Sequence, residues 1–166
     1  MRSYKEKILT KGAMLKERER LKASGKTVVF TNGCFDILHC GHVSYLNFAR
    51  DQGDVLVLGM NSDASVKRNK TSDRPINCEE DRGLVLAALE CIDYVVVFDE
   101  DEPESLIGDL LPDVLVKGED WAHYVSGREA VEAAGGKVVL AKMVEGRSTT
   151  GTIERVLEVY GERNER

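Results

Sequence analysis

Apolar positions along the chain follow two different periods, and the two periods alternate. Short runs rich in β-branched residues are typical of buried strands, and they read "KTVVFTNG" (26–33), "DVLVLGMNSD" (54–63), "YVVVF" (94–98), "DVLVKG" (113–118) and "KVVLA" (137–141). Between and after them, apolar residues have helical spacing over 42–53, 79–91, 103–111, 128–134 and 149–160. This alternation predicts an α/β fold, a Rossmann-like doubly wound parallel sheet of about five strands.

The N-terminal part of the chain has a different character. Its apolar positions lie among many charges and predict a short lead-in followed by an amphipathic helix that ends near Gly25. We therefore expect an N-terminal helical extension, 1–25, attached to the main α/β domain, 26–166, within one compact domain. With 166 residues, 42% of them hydrophobic, the chain is large enough to bury one sizeable core.

Composition narrows the classes of partner. The net charge of −6 argues against broad binding to nucleic acid or to an anionic membrane, although a local basic pocket for a small anion is compatible with it. No apolar run reaches the ~18 residues of a membrane span, and the N-terminus lacks the apolar core of a signal peptide. The four cysteines form no CxxC pair, which favours reduced thiols. We expect a soluble cytoplasmic protein.

Polar residues gather where the predicted strands end. In a doubly wound sheet, ligands bind beyond the carboxyl ends of the strands, at the point where the winding direction changes. The first strand leads into residues 32–42, the second ends at Asn61 and Asp63, the fourth leads into 117–121, and the fifth leads to "VEGRSTTG". We expect these stretches, far apart in sequence, to converge on one rim.

The stretch "TNGCFDILHCGH" holds two of the three histidines of the chain, His39 and His42, around Gly41 at a strand-to-helix turn. Amide hydrogens at a helix N-terminus attract an anion, imidazoles add directional donors, and glycine lets a ligand approach the backbone. The pattern therefore predicts a phosphate site that is neither a P-loop nor a GxGxxG turn. A zinc site is less favoured because His123 is the only other histidine and no cysteine pair has finger spacing. A structural alternative is one histidine capping the helix and the other packed in the core.

These residues carry a family resemblance. "GCFDILHCGH" resembles the HxGH signature of the nucleotidyltransferase superfamily, and "EGRSTT" (145–150) is similar to the GxSTT-type motif of cytidylyltransferase-like enzymes. Together with "NSDASVKR", "DRPIN", "EEDRGLVLAALECIDYVV" and "LPDVLVKGEDW", they resemble the D-glycero-β-D-manno-heptose 1-phosphate adenylyltransferase family. That family includes the C-terminal half of a bifunctional kinase/adenylyltransferase. The resemblance covers roughly 26–157, so that 26–166 is identified as a nucleotidyltransferase domain.

The resemblance implies a reaction. ATP and a heptose 1-phosphate would give ADP-heptose, which feeds the lipopolysaccharide core, and pyrophosphate, with no covalent enzyme intermediate. Positioned cationic and hydrogen-bonding groups would provide most of the catalysis. Mg²⁺ is expected to bridge phosphate oxygens, with protein ligands that the sequence does not identify. Because relatives often form dimers, a homodimer is expected, and because the chain is too short to include a sugar kinase, a separate kinase is expected in the pathway.

Residue roles follow from the resemblance. His39 and His42 match the catalytic histidines, and Lys67 is the favoured mobile phosphate-binding cation, with Arg68 and Lys70 as alternatives. The expected nucleotide-binding residues are Asn32, Gly33, Cys34, Phe35, Gly41, Arg82, Gly118, Asp120, Trp121, Ser148 and Thr149. The expected substrate-binding residues are Asp36, Asn61 and Asp63, with a structural role in capping the turn equally open for Asp36.

Departures from the family pattern at four positions keep alternatives open. Asn69 and Thr71 replace the Leu and Gly of "KRLKG", and "KGEDW" replaces the "KGGDY" of many heptose enzymes. Trp121 instead agrees with the "GDDW" of glycerol-3-phosphate cytidylyltransferases. The alternatives are therefore a cytidylyltransferase acting on glycerol 3-phosphate or another small phosphate, and a nucleotide-binding regulatory domain that has lost catalysis.

Overall fold

The computed structural model describes residues 3–161, which form one sheet with helices on both faces. The strands are β1 (Ile8–Leu9), β2 (Val28–Gly33), β3 (Val55–Asn61), β4 (Tyr94–Phe98), β5 (Val114–Gly118) and β6 (Lys137–Ala141). The α-helices are α1 (Lys11–Ala23), α2 (Cys40–Arg50), α3 (Asp63–Asn69), α4 (Glu79–Ala87), α5 (Glu104–Leu110), α6 (Arg128–Ala133) and α7 (Thr149–Tyr160). Short 3₁₀ turns cover Tyr4–Lys7 and Glu119–Trp121.

The sheet is parallel and doubly wound, as predicted. Its strand order is β1-β4-β3-β2-β5-β6, and every neighbouring pair is parallel. The chain winds outward from β2 through β3 and β4, then returns to the other side of β2 for β5 and β6. Six strands form where about five were predicted, because β1 has two residues and its pattern is too short to be recognised in sequence.

The N-terminal segment is part of this sheet. Thr10 caps α1 by accepting a hydrogen bond from the backbone N–H of Ala13 at 3.2 Å, so the helix starts at residue 11. The residues before this cap, Ile8 and Leu9, pair with β4. Met14 on α1 is buried in the core. The predicted division at residue 25 stays a prediction, but a segment that supplies a strand and core residues packs as an integral part of the domain.

Two hydrophobic layers enclose the sheet. Alternate residues of β2 point to opposite faces, so Phe30 packs with α1, α5 and α6 residues while Val29 packs with α2 and α4 residues. β3 is buried along its whole length. The crossover helices of a parallel sheet cover both of its faces, so each face needs its own hydrophobic layer.

The neighbouring strands β2 and β5 part before they end. β2 pairs with β3 from Val28 to Gly33, whereas its pairing with β5 stops at Phe30 opposite Leu115. The last three residues of each of these two strands therefore diverge. This is also the point where the winding direction changes, so a crevice opens at the carboxyl edge of the sheet.

Helix α3 differs from the sequence analysis, and helix α7 differs from the other α-helices of the described residues in its burial. α3 forms over residues for which the sequence analysis predicted no helix, because Ser62 caps it by accepting from the N–H of Ser65 at 3.0 Å. α7 matches its predicted bounds, 149–160, but none of its residues is buried. Among residues 3–161, no helix is both long enough and apolar enough to cross a membrane.

We expect Arg18→Met to lower the free energy of unfolding by about 2 kcal/mol, measured by urea denaturation. Its buried guanidinium joins α1 to the end of α5, donating to the carbonyls of Leu110 and Leu111 and to Asp113 at 3.2, 2.8 and 3.0 Å. The matched control is Arg128→Met, which breaks an exposed pair with Glu132 and should cost less than about 1 kcal/mol. Equal losses in the two variants would show that the N-terminal helix is not anchored in this way.

Candidate active site

A cavity of about 490 Å³ opens where β2 and β5 part. It is lined by the end of β2 and the start of α2, by residues after α3, by the loop before α5, and by the ends of β5 and β6 with the start of α7. The structure brings most of the predicted site residues to this cavity, namely Asn32, Gly33, Cys34, Phe35, Asp36, His39, Gly41, His42, Asn61, Gly118, Asp120, Trp121, Ser148 and Thr149. Lys67, Asp63 and Arg82 do not line it.

Side chains bridge the gap between the diverging strands. The Lys117 ammonium donates to Asn32 Oδ1 at 2.6 Å. Deeper in the crevice, the Tyr45 hydroxyl donates to the Val116 carbonyl at 3.2 Å and lies 2.6 Å from the Thr31 hydroxyl. These contacts replace the backbone ladder that β2 and β5 lack at this end, so they set the width of the cavity.

Lys117 is the most notable residue that the sequence analysis did not assign to the site. Its side chain lines the cavity and is only 8% exposed, and burial lowers its pKa. Its Nζ lies 5.7 Å from the centre of the Trp121 ring. The signal was present in the sequence, because a lysine that ends the apolar run "DVLV" stands where a buried strand meets the rim.

The two histidines stack against each other at the start of α2. Their ring centroids are 3.8 Å apart, and the backbone N–H of His39 donates to Nδ1 of His42 at 3.3 Å. Burial, with a smaller contribution from His39, lowers the pKa of His42 to about 4. Burial and the charge of Arg147 also lower the pKa of His39. At neutral pH both rings are therefore uncharged, and His42, which accepts at Nδ1, carries its proton on Nε2.

Close packing explains why glycine stands at two positions of the cavity wall. A Cβ on Gly41 would lie 3.0 Å from the His39 ring and 3.2 Å from Cβ of Arg147, so glycine lets the segment before α7 approach the start of α2. A Cβ on Gly118 would lie 2.3 Å from Oδ1 of Asp120. Glycine at these two positions lets the side chains of His39, Arg147 and Asp120 lie close to the backbone that lines the cavity.

Asp36 is buried and anchors a neighbouring loop. Its carboxylate accepts from Nε of Arg74 at 2.9 Å and from the N–H groups of Ile76 and Asn77 at 2.7 and 3.0 Å. Burial by itself raises the pKa of this carboxyl, but these hydrogen bonds outweigh burial and lower it. Phe35 and Ile37, on either side, have φ values of 47° and 24°. The carboxylate thus holds a strained loop against residues 74–77, and a direct contact with substrate stays a prediction.

The structure places Arg82 outside the cavity, contrary to the expected contact with nucleotide. Its buried guanidinium donates to the carbonyls of Asn77, Cys34 and Asn61 at 3.0, 2.7 and 2.9 Å and pairs with Asp63 at 2.7 Å. Both Arg82 and Asp63 are thereby engaged within the protein. Arg82 supports the site by tying the ends of β2 and β3 to the loop before α4.

The cation favoured from sequence also lies away from the cavity. Lys67 lies inside α3 with an exposed side chain, so it belongs to a helix and not to a mobile loop. Arg68 donates to Asp101 and to the Asp99 carbonyl. Lys70, which follows α3, lines the cavity. Of the three basic residues considered in the sequence, the geometry therefore favours Lys70.

The opposite wall is built from the β5 end and the start of α7. Ser148 caps α7 by accepting from the N–H of Gly151 at 2.9 Å, and Thr149 and Thr150 line the cavity beside it. The exposed Trp121 ring stacks against His123 with centroids 6.3 Å apart. Residues that the sequence analysis left out also line this part of the cavity or its rim, namely Met143, Val144, Asp101, Glu102 and Pro103.

Comparisons with known proteins identify the family of the chain. Residues 30–156 match the family model described as cytidylyltransferase-like. The chain is 61% identical over 142 residues to the bifunctional protein HldE of Geobacter sulfurreducens, and 55% identical over 158 residues to that of Syntrophotalea carbinolica. These matches cover 85% and 95% of this chain but only 29% and 32% of the relatives, so the chain spans about a third of their length.

Solved structures share the fold. The lipopolysaccharide core biosynthesis protein from Thermoplasma volcanium superposes with a TM-score of 0.60 at 24% identity, over 74% of this chain and 99% of the other. Pantoate-β-alanine ligase from Francisella tularensis superposes with a TM-score of 0.55 at 15% identity, over 96% of this chain and 79% of the other. At these identities the likeness supports the doubly wound fold alone.

We expect Lys117→Met to weaken the binding of pyrophosphate, a simple anionic probe, by about tenfold or more without loss of folding stability. The substitution removes a positive charge from the cavity but replaces a buried ion with an apolar side chain of similar length. Calorimetric titration and urea denaturation measure the two effects. Lys137→Met, at the exposed opposite end of the neighbouring strand β6, is the control. Unchanged binding with a large loss of stability would give Lys117 a purely structural role.

The lowered pKa of His42 predicts that stability falls as the pH drops from about 6.5 towards about 4. In that window the unfolded chain binds a proton on this ring and the folded chain does not, so acid favours unfolding. His42→Gln should therefore lose less unfolding free energy than the unaltered chain between about pH 7 and about pH 5, by urea denaturation. His123→Gln, at an exposed position, is the control. Identical pH slopes for His42→Gln and the unaltered chain would contradict the buried neutral ring.

Proposed function

The chain belongs to the cytidylyltransferase-like family, and on that premise we propose that it is a nucleotidyltransferase that transfers AMP from ATP to a heptose 1-phosphate. The products are ADP-heptose, used in lipopolysaccharide core synthesis, and pyrophosphate. The observation that carries this proposal is a cavity at the sheet's switch point with two neutral imidazoles on one wall and a buried ammonium between the strands. The relatives named HldE support the heptose substrate.

The proposed reaction needs charge control rather than a protein nucleophile. The sugar phosphate supplies the attacking oxygen, the bond to the α-phosphorus forms on one side, and the bond to pyrophosphate breaks on the other. Negative charge builds on the phosphate oxygens as the two anions meet. Donors held in place before the reaction stabilise that charge without reorganising.

Neutral imidazoles suit this role. Nε2–H of His42 donates to a phosphate oxygen, because Nδ1 is already fixed by the backbone of His39. His39 adds a second donor from the same helix start, and the amides of α2 face the same region. Because neither ring is charged, neither binds a counter-ion, and the ring N–H groups can donate directly to the nucleotide. On the other wall, Ser148 and Thr149 at the start of α7 complete the cradle.

Lys117 and Lys70 supply positive charge in the proposed site. Lys117 is fixed between the strands and is suited to hold an anionic group in a constant position. Lys70 follows α3 in a segment without helix or strand, so it is suited to reach the phosphates as they bind. We assign to Lys70 the role that the sequence analysis gave to Lys67.

Mg²⁺, which the resemblance implies, neutralises charge between phosphate oxygens when it is bound. Among residues 3–161, no three His, Cys, Asp or Glu side chains are grouped to hold a metal ion. Mg²⁺ in such sites is held mainly by substrate phosphates and water, with one or two carboxylates from the protein. Of the carboxylates that line the cavity, Asp36 is bound by Arg74 and Asp101 by Arg68, so Glu102 and Asp120 are the ones that would hold the ion.

The setting of the reaction completes the proposal. We propose that the site binds ATP and the sugar phosphate and that the chain binds neither nucleic acid nor membranes. We also propose that the reaction takes place in the cytoplasm. The relatives that match this chain are named bifunctional, and we propose that a sugar kinase supplies the phosphorylated heptose. We also propose that the chain acts as a homodimer.

A cytidylyltransferase for glycerol 3-phosphate is the second candidate. Trp121 favours it, because the structure places this ring at the cavity, where it agrees with the "GDDW" of those enzymes. ATP and CTP differ at the base, so the residues that end β5 and follow it are the ones expected to decide between them.

We expect the purified chain with Mg²⁺ to release pyrophosphate from ATP only when heptose 1-phosphate is present, and to release little from CTP with any acceptor. Pairing each nucleotide with heptose 1-phosphate and with glycerol 3-phosphate measures this. His39→Ala should lower kcat about 10²- to 10³-fold, equal to about 2.7–4 kcal/mol, because a transition-state donor is lost. Lys137→Ala, at the exposed far end of β6, should keep full activity.

Each other outcome has a defined meaning. Turnover only with CTP and glycerol 3-phosphate would replace the proposal with the second candidate. Nucleotide binding without turnover under every pairing would identify a regulatory domain that has lost catalysis. Full activity of His39→Ala would show that the proposed cradle is not the reaction site.

A further inference from the structure

Polar contacts join helix α3 to the loop 99–102, which lies between β4 and α5. The hydroxyl of Ser62, the capping residue of the helix, donates to the Asp99 carboxylate. One turn later, the hydroxyl of Ser65 donates to the Glu100 carbonyl at 2.8 Å. The first part of the helix is thereby attached to the first part of the loop.

Arg68 and Asn69 continue these contacts at the end of the helix. Nε of Arg68 donates to the Asp101 carboxylate at 2.6 Å, and its guanidinium also donates to the Asp99 carbonyl. Nδ2 of Asn69 donates to the Asp101 carbonyl at 2.9 Å. The last residue of α3 is thus bonded to the backbone of the loop.

The contacts lie on one face of α3. With about 100° between successive residues, positions 62, 65, 68 and 69 fall within about a third of the helix circumference. Lys67 falls on the other side, so it is directed away from the loop. A helix of seven residues is too short to be stable without tertiary contacts, so this polar face and the buried Val66 hold α3 in place.

The loop is a firm anchor because buried residues hold it at both ends. It follows Phe98, the buried last residue of β4. It precedes α5, where Leu106 and Ile107 belong to the hydrophobic core. A hydrogen bond to this loop therefore fixes the end of α3 relative to the sheet.

The Asn69 bond lies at the wall of the cavity. Both bonded residues line the cavity, and so do the residues that follow them, Lys70 and Glu102. The asparagine side chain is short, with few torsions, so it holds its own backbone more tightly than the long side chain of Arg68 does. Since Lys70 is the next residue, the bond fixes the backbone from which the lysine side chain extends.

This contact goes beyond the family pattern. In "KRLKG", leucine stands where this chain has Asn69. Leucine has nearly the shape of asparagine but no N–H to donate, so it cannot bond to the Asp101 carbonyl. The substitution that marks this chain as a departure from the pattern therefore adds a bond between α3 and the loop.

We propose that Asn69 is a positioning residue, whose hydrogen bond to the Asp101 carbonyl holds the end of α3 so that the Lys70 ammonium reaches the phosphates of the nucleotide. A side chain that extends from a fixed backbone leaves less freedom to be lost on binding, so ATP binds more tightly. The inference rests on the proposed function for the role of Lys70, whereas the contacts between α3 and the loop do not depend on it.

Titration calorimetry with ATP and Mg²⁺ measures the effect. Asn69→Leu should weaken ATP binding by about fivefold, since it removes the donor and keeps the shape of the side chain. Asn69→Gln keeps an amide donor and should bind ATP within about twofold of the unaltered chain. Because the Asn69 bond is exposed, circular dichroism should show that both variants are folded.

Asn47→Leu is the matched control. Nδ2 of Asn47 donates to the Val43 carbonyl at 2.8 Å on an exposed part of α2, so the substitution removes the same type of bond. Neither Asn47 nor Val43 lines the cavity, and ATP binding should be unchanged. Equal losses of affinity in Asn47→Leu and Asn69→Leu would overturn the proposal, because they would indicate a general effect of losing such a bond from a helix.

A double variant tests whether Asn69 acts through Lys70. Lys70→Met should weaken ATP binding by about tenfold, because a hydrogen bond from a charged donor is lost. The double variant Asn69→Leu with Lys70→Met should bind ATP no more weakly than Lys70→Met alone, since two residues that act as a unit are not additive. Additive losses would show that Asn69 acts by another route and would overturn the proposal.

The remaining outcomes are also decisive. Unchanged ATP affinity in Asn69→Leu or in Lys70→Met overturns the proposal, and so does an Asn69→Gln variant that binds as weakly as Asn69→Leu. ATP binding by the unaltered chain without turnover of heptose 1-phosphate would refute the proposed reaction and leave the positioning role in place, because these titrations require no turnover.

Discussion

The separation of the neighbouring strands β2 and β5 at the carboxyl edge of the sheet is the constraint on which the site depends. Backbone hydrogen bonds between β2 and β5 end at Phe30 and Leu115, and beyond them only side chains connect the two strands. A parallel ladder has a fixed spacing of about 5 Å, too narrow for a ligand. Where side chains of Lys117 and Tyr45 replace that ladder, the strands diverge into a crevice and a charged group faces the interior of the cavity.

Burial then determines the chemistry of the groups around this crevice. It lowers the pKa of the histidines, so they act as neutral hydrogen-bond donors, and it lowers the pKa of Lys117. Buried polar side chains also hold the surrounding loops in place, since Asp36 binds residues 74–77 and Arg82 binds three carbonyls. The shape of the cavity and the stability of its loops thus depend on the same set of buried polar contacts.

α7 joins the site to the outer surface of the molecule. Its first turn belongs to the cavity, whereas its later turns carry apolar side chains that the described part of the chain does not bury. Because no residue of α7 is buried, the order of this part of the cavity wall depends on how the helix packs.

Sequence alone determined the fold class and the location of the site. Hydrophobic periods fixed the order of strands and helices, and the polar residues after the strands, including His39 and His42, marked the rim, because both patterns are local. Only the tertiary structure decided which charged side chains face the ligand. It buried Arg82 among carbonyls, turned Lys67 outward on α3, and placed Lys117 in the gap. The direction and burial of a side chain depend on contacts with residues distant in sequence, which no local pattern contains.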